Sequence, residues 1–548
     1  MRTWLNFENL DKELRTELEN MSPEEIEDAF YTDLVFGTGG MRGIIGPGTN
    51  RMNIYTLRRA NYGYGKFILK HYENPKVVIA YDSRNKSIDF AKDSARVLGS
   101  LGIKVYLFKD IAPTPQLSFA IRYLKTSGGI VITASHNPPQ YNGYKIFDHT
   151  GCQLVPDYIT EVVSEIKNAP GIFDIEPQEF DSLLDAGLIN YLDYDVNNAY
   201  LDAVKSVTIN SDLEKKIKVI YTPLHGTGGF LAKTLLEDLG YEYFCVPEQM
   251  IPDPTFKTVT YPNPEDIKAF ELALNYAKDF KPDIIVATDP DADRLGVIAL
   301  HEGKYQFLNG NQIGAIFIYY LCSHRKYNKG VIINTIVTSD LGKKIASAHG
   351  VETISTLTGF RYIGEQLNIL EKTDYEPLFA YEESYGYTIK DFIRDKDSLQ
   401  ALVLMSEIAN YYKHQNKSLL DVLDEIHQTY GYYFEKTVNL TFPGMEGLNK
   451  MNRIIDYLRT QDLSFLNIQR KEDYLIEEFH TNITNTLIPK ANVIKYYFEN
   501  DSWIAIRPSG TEPKLKIYFS VIAESKLKAE ENQKIIENKI MKLVESVK

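Results

Sequence analysis

Cysteine is scarce in this chain: there are three, Cys152, Cys245 and Cys322, each far from the others in sequence. That spacing excludes a disulfide framework and a cysteine metal clip, and it fits a reducing compartment. The stretch Met1 to Asn20 is charged and lacks the apolar centre of a signal segment. The longest apolar run, Gly314 to Cys322, is far too short to span a bilayer, so the expectation is a cytoplasmic protein with no membrane partner. Positive charge is also in deficit: 60 Lys and Arg stand against 74 Asp and Glu, a net charge of −14. This excludes the basic footprint that nucleic-acid binding needs. It leaves room for a small anionic ligand in a locally basic pocket. No Walker-type lysine loop and no Gly-x-Ser-x-Gly elbow occur, which removes nucleotide P-loops and the common serine hydrolases.

What is present is a long, well-mixed globular composition, 44% hydrophobic over 548 residues, enough for several domains. Asn9 to Phe30 reads as amphipathic helix, with Ser22-Pro23-Glu24-Glu25 as a helix start. From Lys76 the rhythm is strand, helix, strand: an apolar run Lys76 to Tyr81, helical spacing over Ser87 to Leu101, and a strand over Lys104 to Phe108. This alternation predicts α/β domains with parallel or mixed sheets. One shape then recurs. Ile130 to Ser135, Ile284 to Asp289 and Leu378 to Glu382 are apolar strand-like runs, each entering a loop dense in Ser, Asp, Glu or Asn. Companion strands begin at Lys218 and Gly330. In open α/β sheets, ligands bind beyond the carboxyl ends of strands. The chain therefore divides into three related α/β domains, 1–208, 209–320 and 321–435. A smaller α+β domain, 436–548, follows.

The loops carry the chemistry. Thr133-Ala-Ser-His-Asn-Pro-Pro139 puts a candidate nucleophile, Ser135, at a strand end, although Ser, Asn and Pro also make ordinary turns. Asp289-Pro-Asp-Ala-Asp-Arg294 sets three carboxylates at alternating positions, a donor set for Mg²⁺ or Ca²⁺. Without a cation, their mutual repulsion is costly. Tyr381-Glu-Glu-Ser-Tyr-Gly386 offers Glu382 and Ser384 as hydroxyl partners, with Lys396 as a basic neighbour. Arg507-Pro-Ser-Gly-Thr-Glu-Pro-Lys514 combines a guanidinium, two hydroxyls and backbone N–H groups, the elements of a phosphate cradle. Gly37-Thr-Gly-Gly-Met-Arg-Gly43 adds backbone freedom and Arg42.

Taken together and in this order, Phe36–Gly43, Thr133–Pro138, Asp289–Arg294, Glu382–Ser384 and Arg507–Thr511 resemble the α-D-phosphohexomutase superfamily along essentially the whole chain. The double-Glu loop, the Phe-Gly-Thr-Gly-Gly opening and the length are most similar to its phosphoglucomutase branch, with the bacterial α-phosphoglucomutases and phosphopentomutase-like enzymes. The resemblance implies four domains around a central cleft, with Ser135 phosphorylated in the resting enzyme. Asp289, Asp291 and Asp293 would bind Mg²⁺ together with the Ser135 phosphate, and Arg294 would stand beside it. Glu382 and Ser384 would hold sugar hydroxyls, and Thr358-Gly359-Phe360-Arg361 would orient the sugar. Arg507, Ser509, Gly510 and Thr511 would grip the phosphate that is not transferred. Arg42, His136, Lys145 and Lys396 match basic positions near the reacting centre.

The implied reaction interconverts glucose 1-phosphate and glucose 6-phosphate, with glucose 1,6-bisphosphate as intermediate and activator. A monomer is favoured. Tyr385 and Tyr387 depart from the Glu-x-Ser-Gly-His loop of shorter phosphomannomutases, which counts against mannose. Rival readings are a phosphopentomutase, a phosphomannomutase, a Mg²⁺-dependent sugar phosphatase and a non-catalytic phosphosugar binder.

Overall fold

The computed structural model describes residues 1–37, 40–192, 194–442, 444–461, 467–508 and 514–547. The chain forms two compact units. One comprises Met1–Leu308, Ile363–Asn368 and Ser384–Asn416; the other comprises Asn309–Tyr362, Ile369–Glu383 and Lys417–Lys548.

After the short helix Arg2–Leu5, the first unit carries helices Lys12–Asn20 and Pro23–Phe30 in the stretch read as amphipathic helix, the second beginning at the Ser22–Glu25 helix start. The break falls at Met21–Ser22 because Ser22 caps the second helix. Its side chain accepts from the Glu25 N–H and the Glu25 carboxylate reciprocates, leaving Pro23 at a first-turn position where no N–H is needed. Two α/β domains follow. The first has a six-stranded sheet in the order Met41–Ile44, Tyr141–Asp148, Gly128–Ile132, Lys76–Tyr81, Lys104–Leu107, Ile189–Tyr191. The second has five strands in the order Lys304–Leu308, Leu295–His301, Ile284–Thr288, Lys218–Thr222, Glu242–Cys245.

The repeat is topological as well as sequential. Gly128–Ile132 and Ile284–Thr288 each run parallel to an earlier strand and antiparallel to the strand that returns from the loop. Each is buried along its whole length, as expected of strands covered on both faces. The loops that end them therefore leave the same side of their sheets.

In the second unit, Gly330–Thr335 lies between Glu352–Thr356 and Glu376–Glu382, parallel to both. Helix Gly310–His324 packs in this unit: a Cβ at Gly314 would meet the Tyr381 ring at 2.5 Å. The sequence reading divides this helix at 320/321. The structure places the junction at 308/309, because the helix is needed to cover the third sheet.

The C-terminal domain is an antiparallel sheet in the order Tyr432–Thr441, Lys514–Ala523, Trp503–Pro508, Ile494–Phe498, Ile468–Asp473, with helices Gly444–Thr460 and Lys526–Ser546. It shares an apolar cluster with the third α/β domain, in which Ile336, Val337 and Leu357 meet Trp503, Ala505 and Tyr518. Three related α/β domains with mixed sheets and a C-terminal α+β domain make up the fold. Among the described residues, no helix is long and apolar enough to cross a membrane.

Candidate active site

Ser135 stands just past the end of Gly128–Ile132, with φ at 51°. Left-handed backbone at a non-glycine residue costs about 1–3 kcal/mol and persists where surrounding contacts over-determine it. Here the Ser135 N–H donates to Thr133 Oγ1 at 2.8 Å. Arg84 donates to the carbonyls of Ser135, Asn137, Pro138 and Tyr141.

The Ser135 hydroxyl donates to Asp289 Oδ2 at 2.7 Å and lies 3.2 Å from His136 Nδ1. The strand ends of the first and second domains thus place the candidate nucleophile against the first of the three aspartates. Arg42 joins the same loop through Asn137 Oδ1 at 2.9 Å.

Asp289, Asp291 and Asp293 are all buried and each offers an oxygen within 4.8 Å of the others. The tight turn that bunches them has Ala292 at φ 52°. Asp289 Oδ1 accepts the N–H groups of Asp293 and Arg294 at 3.0 and 2.9 Å.

Lysines offset part of the charge. Lys145 Nζ is 2.9 Å from Asp291 Oδ2 and 3.8 Å from Asp293 Oδ2; Lys396 Nζ is 2.9 Å from Asp293 Oδ2. Burial, then the neighbouring Asp293 and Asp291, push the Asp289 carboxyl well above its ordinary range. Burial opposes ionisation of Asp291 too, but the Lys145 ammonium outweighs it and holds that carboxyl low.

Asp291 Oδ1 and Asp293 Oδ1 are buried, and among the described residues neither meets a hydrogen-bond donor. Buried carboxylate oxygens normally find donors. A hard divalent cation fits this set: unsaturated oxygen ligands, excess negative charge and a destabilised third carboxylate all call for one.

The remaining basic positions divide by role. Burial, then the charges of Arg294 and Arg42, pull the His136 imidazole well below its ordinary range, so it stands neutral here. Arg294 pairs with Glu265. Gly386 packs on Lys396: a Cβ there would stand 2.0 Å from Lys396 Cδ, so only glycine lets the lysine pass to Asp293.

In the second unit, Glu382 Oε1 accepts the Gly359 N–H at 2.8 Å, joining the Thr358–Arg361 segment to the double-Glu loop. Phe360 is buried, and the Arg361 guanidinium lies 5.0 Å from the Tyr362 ring. Arg507 is half-buried on Trp503–Pro508, paired in register with Lys516. Ser509, Gly510 and Thr511 lie outside the described residues. Ser384 belongs to the first unit by its contacts, two residues after Glu382.

Sequence reasoning missed four residues that the structure brings to these clusters. Thr114 donates its hydroxyl to Asp291 Oδ2 at 2.9 Å and its N–H to the Asp291 carbonyl. Glu265 partners Arg294. Arg84 holds the serine loop. Glu383, between Glu382 and Ser384, accepts from Thr335 and Thr338 Oγ1 at 3.3 and 3.4 Å. Burial first, and the adjacent Glu382 second, raise its carboxyl to about 7. The available signal for Arg84 was Asp82-Ser-Arg following a fully apolar strand, the same strand-then-polar-loop shape as the other sites.

Strand-end loops bearing a serine and an aspartate triad on duplicated α/β domains define the class: a phosphoryl-handling enzyme built from repeated α/β units. Profiles of the phosphoglucomutase/phosphomannomutase family match α/β/α domain I at 33–170, domain II at 198–302, domain III at 309–430 and the C-terminal domain at 466–537. A phosphoglucomutase of Staphylococcus haemolyticus is 40% identical over 508 residues, covering 90% of this chain and 91% of that one. One of Staphylococcus aureus is 36% identical over 531 residues, covering 94% and 95%.

The same fold occurs in a phosphoglucomutase/phosphomannomutase family protein of Burkholderia thailandensis (TM-score 0.69, 20% identity, 94% of this chain and 98% of that one). It also occurs in the exocytosis-sensitive phosphoprotein parafusin (phosphoglucomutase) of Paramecium in an open form (TM-score 0.69, 18% identity, 94% and 96%). The chain belongs to the phosphoglucomutase/phosphomannomutase family.

Proposed function

We propose that the protein is a phosphoglucomutase that interconverts glucose 1-phosphate and glucose 6-phosphate through a phosphorylated Ser135 and a glucose 1,6-bisphosphate intermediate. The observation that carries the reading is the Ser135 hydroxyl at 2.7 Å from Asp289 Oδ2 inside a buried aspartate triad. The glucose assignment is supported by relatives that bear the phosphoglucomutase name over more than nine-tenths of their length.

Phosphoryl transfer asks for positioning and charge neutralisation more than for covalent help. In the first half-reaction the bond from phosphorus to Ser135 Oγ breaks and a bond to a free sugar hydroxyl oxygen forms. The hydroxyl proton leaves the sugar and Oγ regains one. His136 Nδ1, within hydrogen-bond reach of Oγ, is assigned to that exchange. Lys145, Lys396 and Arg294 offset the dianionic ester, which carries close to two negative charges at neutral pH. Asp289, Asp291 and Asp293 would hold Mg²⁺, whose contribution when bound is to withdraw charge from the transferring group. The bisphosphate then reverses and returns its other phosphoryl group to Oγ. Arg507 is assigned to the phosphate that is not in transfer, and Glu382 and Ser384 to the sugar hydroxyls.

The test is Ser135→Ala, assayed for glucose 1-phosphate turnover with bisphosphate present. Intact mass of the wild type is compared before and after the same bisphosphate. A loss of about 10³-fold or more with the fold retained is expected, with one phosphate per wild-type chain. Near-normal turnover of the variant defeats the reading. Release of inorganic phosphate in place of the isomer would favour the phosphatase.

A further inference from the structure

Arg84 is in none of the loops that carry the proposed reaction, yet its side chain is completely buried and gives all its visible bonds to one loop. Nη1 donates to the Pro138 carbonyl at 2.9 Å and the Tyr141 carbonyl at 3.1 Å. Nη2 donates to the carbonyls of Ser135 and Asn137. The guanidinium lies over the Phe256 ring at 4.9 Å, and its Nε is 3.3 Å from Asp82 Oδ2. Asp82 is itself fixed, accepting from the Arg84 N–H at 2.9 Å and the Ser87 hydroxyl at 2.7 Å.

Closing a turn does not need a buried cation. Taking one out of water is costly unless its geometry does something a neutral group cannot. The planar fork of arginine holds several carbonyls at fixed angles, which the point charge of lysine does not. Among the described residues every peptide is trans. In a trans peptide the carbonyl and the next N–H point to opposite sides. With the Ser135 carbonyl drawn to Arg84, the His136 N–H faces away from it. No described residue accepts that N–H. Ser135, at positive φ, carries its hydroxyl on the same short segment.

We propose that Arg84 is the positioning residue of the serine loop: its fork gathers the loop's carbonyls on one face so that the His136 N–H is presented to the phosphoryl group on Ser135. This inference rests on Ser135 being the phosphorylated residue. Arg84 exchanges no proton. The bond that breaks is Oγ to phosphorus, the bond that forms is sugar oxygen to phosphorus, and the oriented amide stabilises the charge between them, as fixed backbone donors do in other transfer sites.

The experiment uses the full chain with Mg²⁺ and glucose 1,6-bisphosphate. Wild type and Arg84→Lys, which keeps the charge and loses the fork, are compared by intact mass, by kcat and KM for glucose 1-phosphate, and by the ³¹P resonance of the phosphoserine. Expected is a phosphorylated wild type and a variant whose kcat falls about 100-fold while KM stays within about threefold, with a displaced ³¹P resonance. A phosphorylated wild type together with a variant within threefold in kcat and an unmoved resonance overturns the inference alone. A fall in kcat/KM carried by KM overturns it too, because that is a binding role. A wild type that takes no phosphate removes the parent reading and this one with it. If Arg84→Lys does not fold, Phe256→Leu leaves the fork but loosens its seat. A loss of about tenfold in kcat at constant KM is then expected, and an unchanged kcat overturns the proposal.

Discussion

The two units treat their sheltered carboxylates in opposite ways. In the first, Asp291 and Asp293 each meet a lysine at 2.9 Å, and Thr114 and backbone N–H groups fix the remaining geometry. In the second, Glu383 accepts two long hydroxyl bonds, from Thr335 and Thr338, and burial, then Glu382, push its carboxyl up to about 7 despite the charges of Lys516 and Arg507. Glu435, half-buried and accepting the Ser339 hydroxyl, is likewise pushed up to about 7, chiefly by desolvation. Fixed opposite charges suit a centre that must neutralise one group at one place, because no reorganisation is left for the moment of transfer. Carboxyls poised near neutrality suit surroundings whose charge changes as a phosphosugar comes and goes. On the proposed reading, the difference assigns the chemical step to the first cluster and ligand accommodation to the second.

The sharpest way to break that contrast is to remove one carboxylate from the first cluster. Asp291→Asn takes away the partner of Lys145 and one proposed cation ligand. Activity is expected to fall by about 10³-fold, with Mg²⁺ affinity reduced in calorimetric titration. Glu383→Gln, the matching change in the second unit, should cost less than about tenfold in kcat. Comparable losses in the two variants would erase the distinction.

Much of this was legible in the sequence because the repeat is short-range. A strand that is apolar at every position, followed at once by polar residues, reads the same whether or not the domain is known, and Ser135 and Asp289 fall out of that shape. What was not legible depended on long-range contact. Arg84 and Ser135 are 51 positions apart, and Thr114 and Asp291 are 177 apart. Nothing local marks Thr114, which stands between Pro113 and Pro115 and opens a helix. The helix start at Ser22 was legible in Ser22-Pro23-Glu24-Glu25, while the end of the preceding helix at Asn20 was not, because the amphipathic spacing runs on.

A smaller effect should separate binding from transfer. Arg507→Ala removes a half-buried guanidinium from Trp503–Pro508. By the proposed role, KM for glucose 1-phosphate should rise about 10- to 100-fold while kcat changes by less than about threefold. A loss confined to kcat would move Arg507 from holding the ligand to the transfer itself. Gly386→Ala makes the corresponding cut in the first unit. Its Cβ would strike Lys396 Cδ, and moving the lysine off Asp293 should cost about 1–3 kcal/mol of stability in urea unfolding. An unchanged midpoint would mean that the backbone yields and Lys396 keeps its place.

The smallest effect lies in how the second unit responds to pH. Glu383 is raised from 4.5 to about 7 by burial and Glu382. The folded state therefore holds its proton longer than the unfolded chain does, and the stability it contributes below about pH 4.5 drains away as pH rises to 7. Lys495 runs the other way. Burial lowers it from 10.5 to about 7, while its Nζ donates to the Ile336 carbonyl at 2.8 Å. Above pH 7 the unfolded chain binds that proton more readily, so stability climbs again toward pH 10.5. The two slopes meet in a shallow minimum near neutrality. Glu383→Gln should flatten the acid side by about 2 kcal/mol and leave the alkaline side alone, with the slope that remains below pH 7 shared by Glu435, Asp397 and the other raised carboxyls. Lys495→Met should do the reverse. Urea midpoints measured at pH 5, 7 and 9 check both, and a wild type whose stability peaks at pH 7 would contradict the pairing of these shifts.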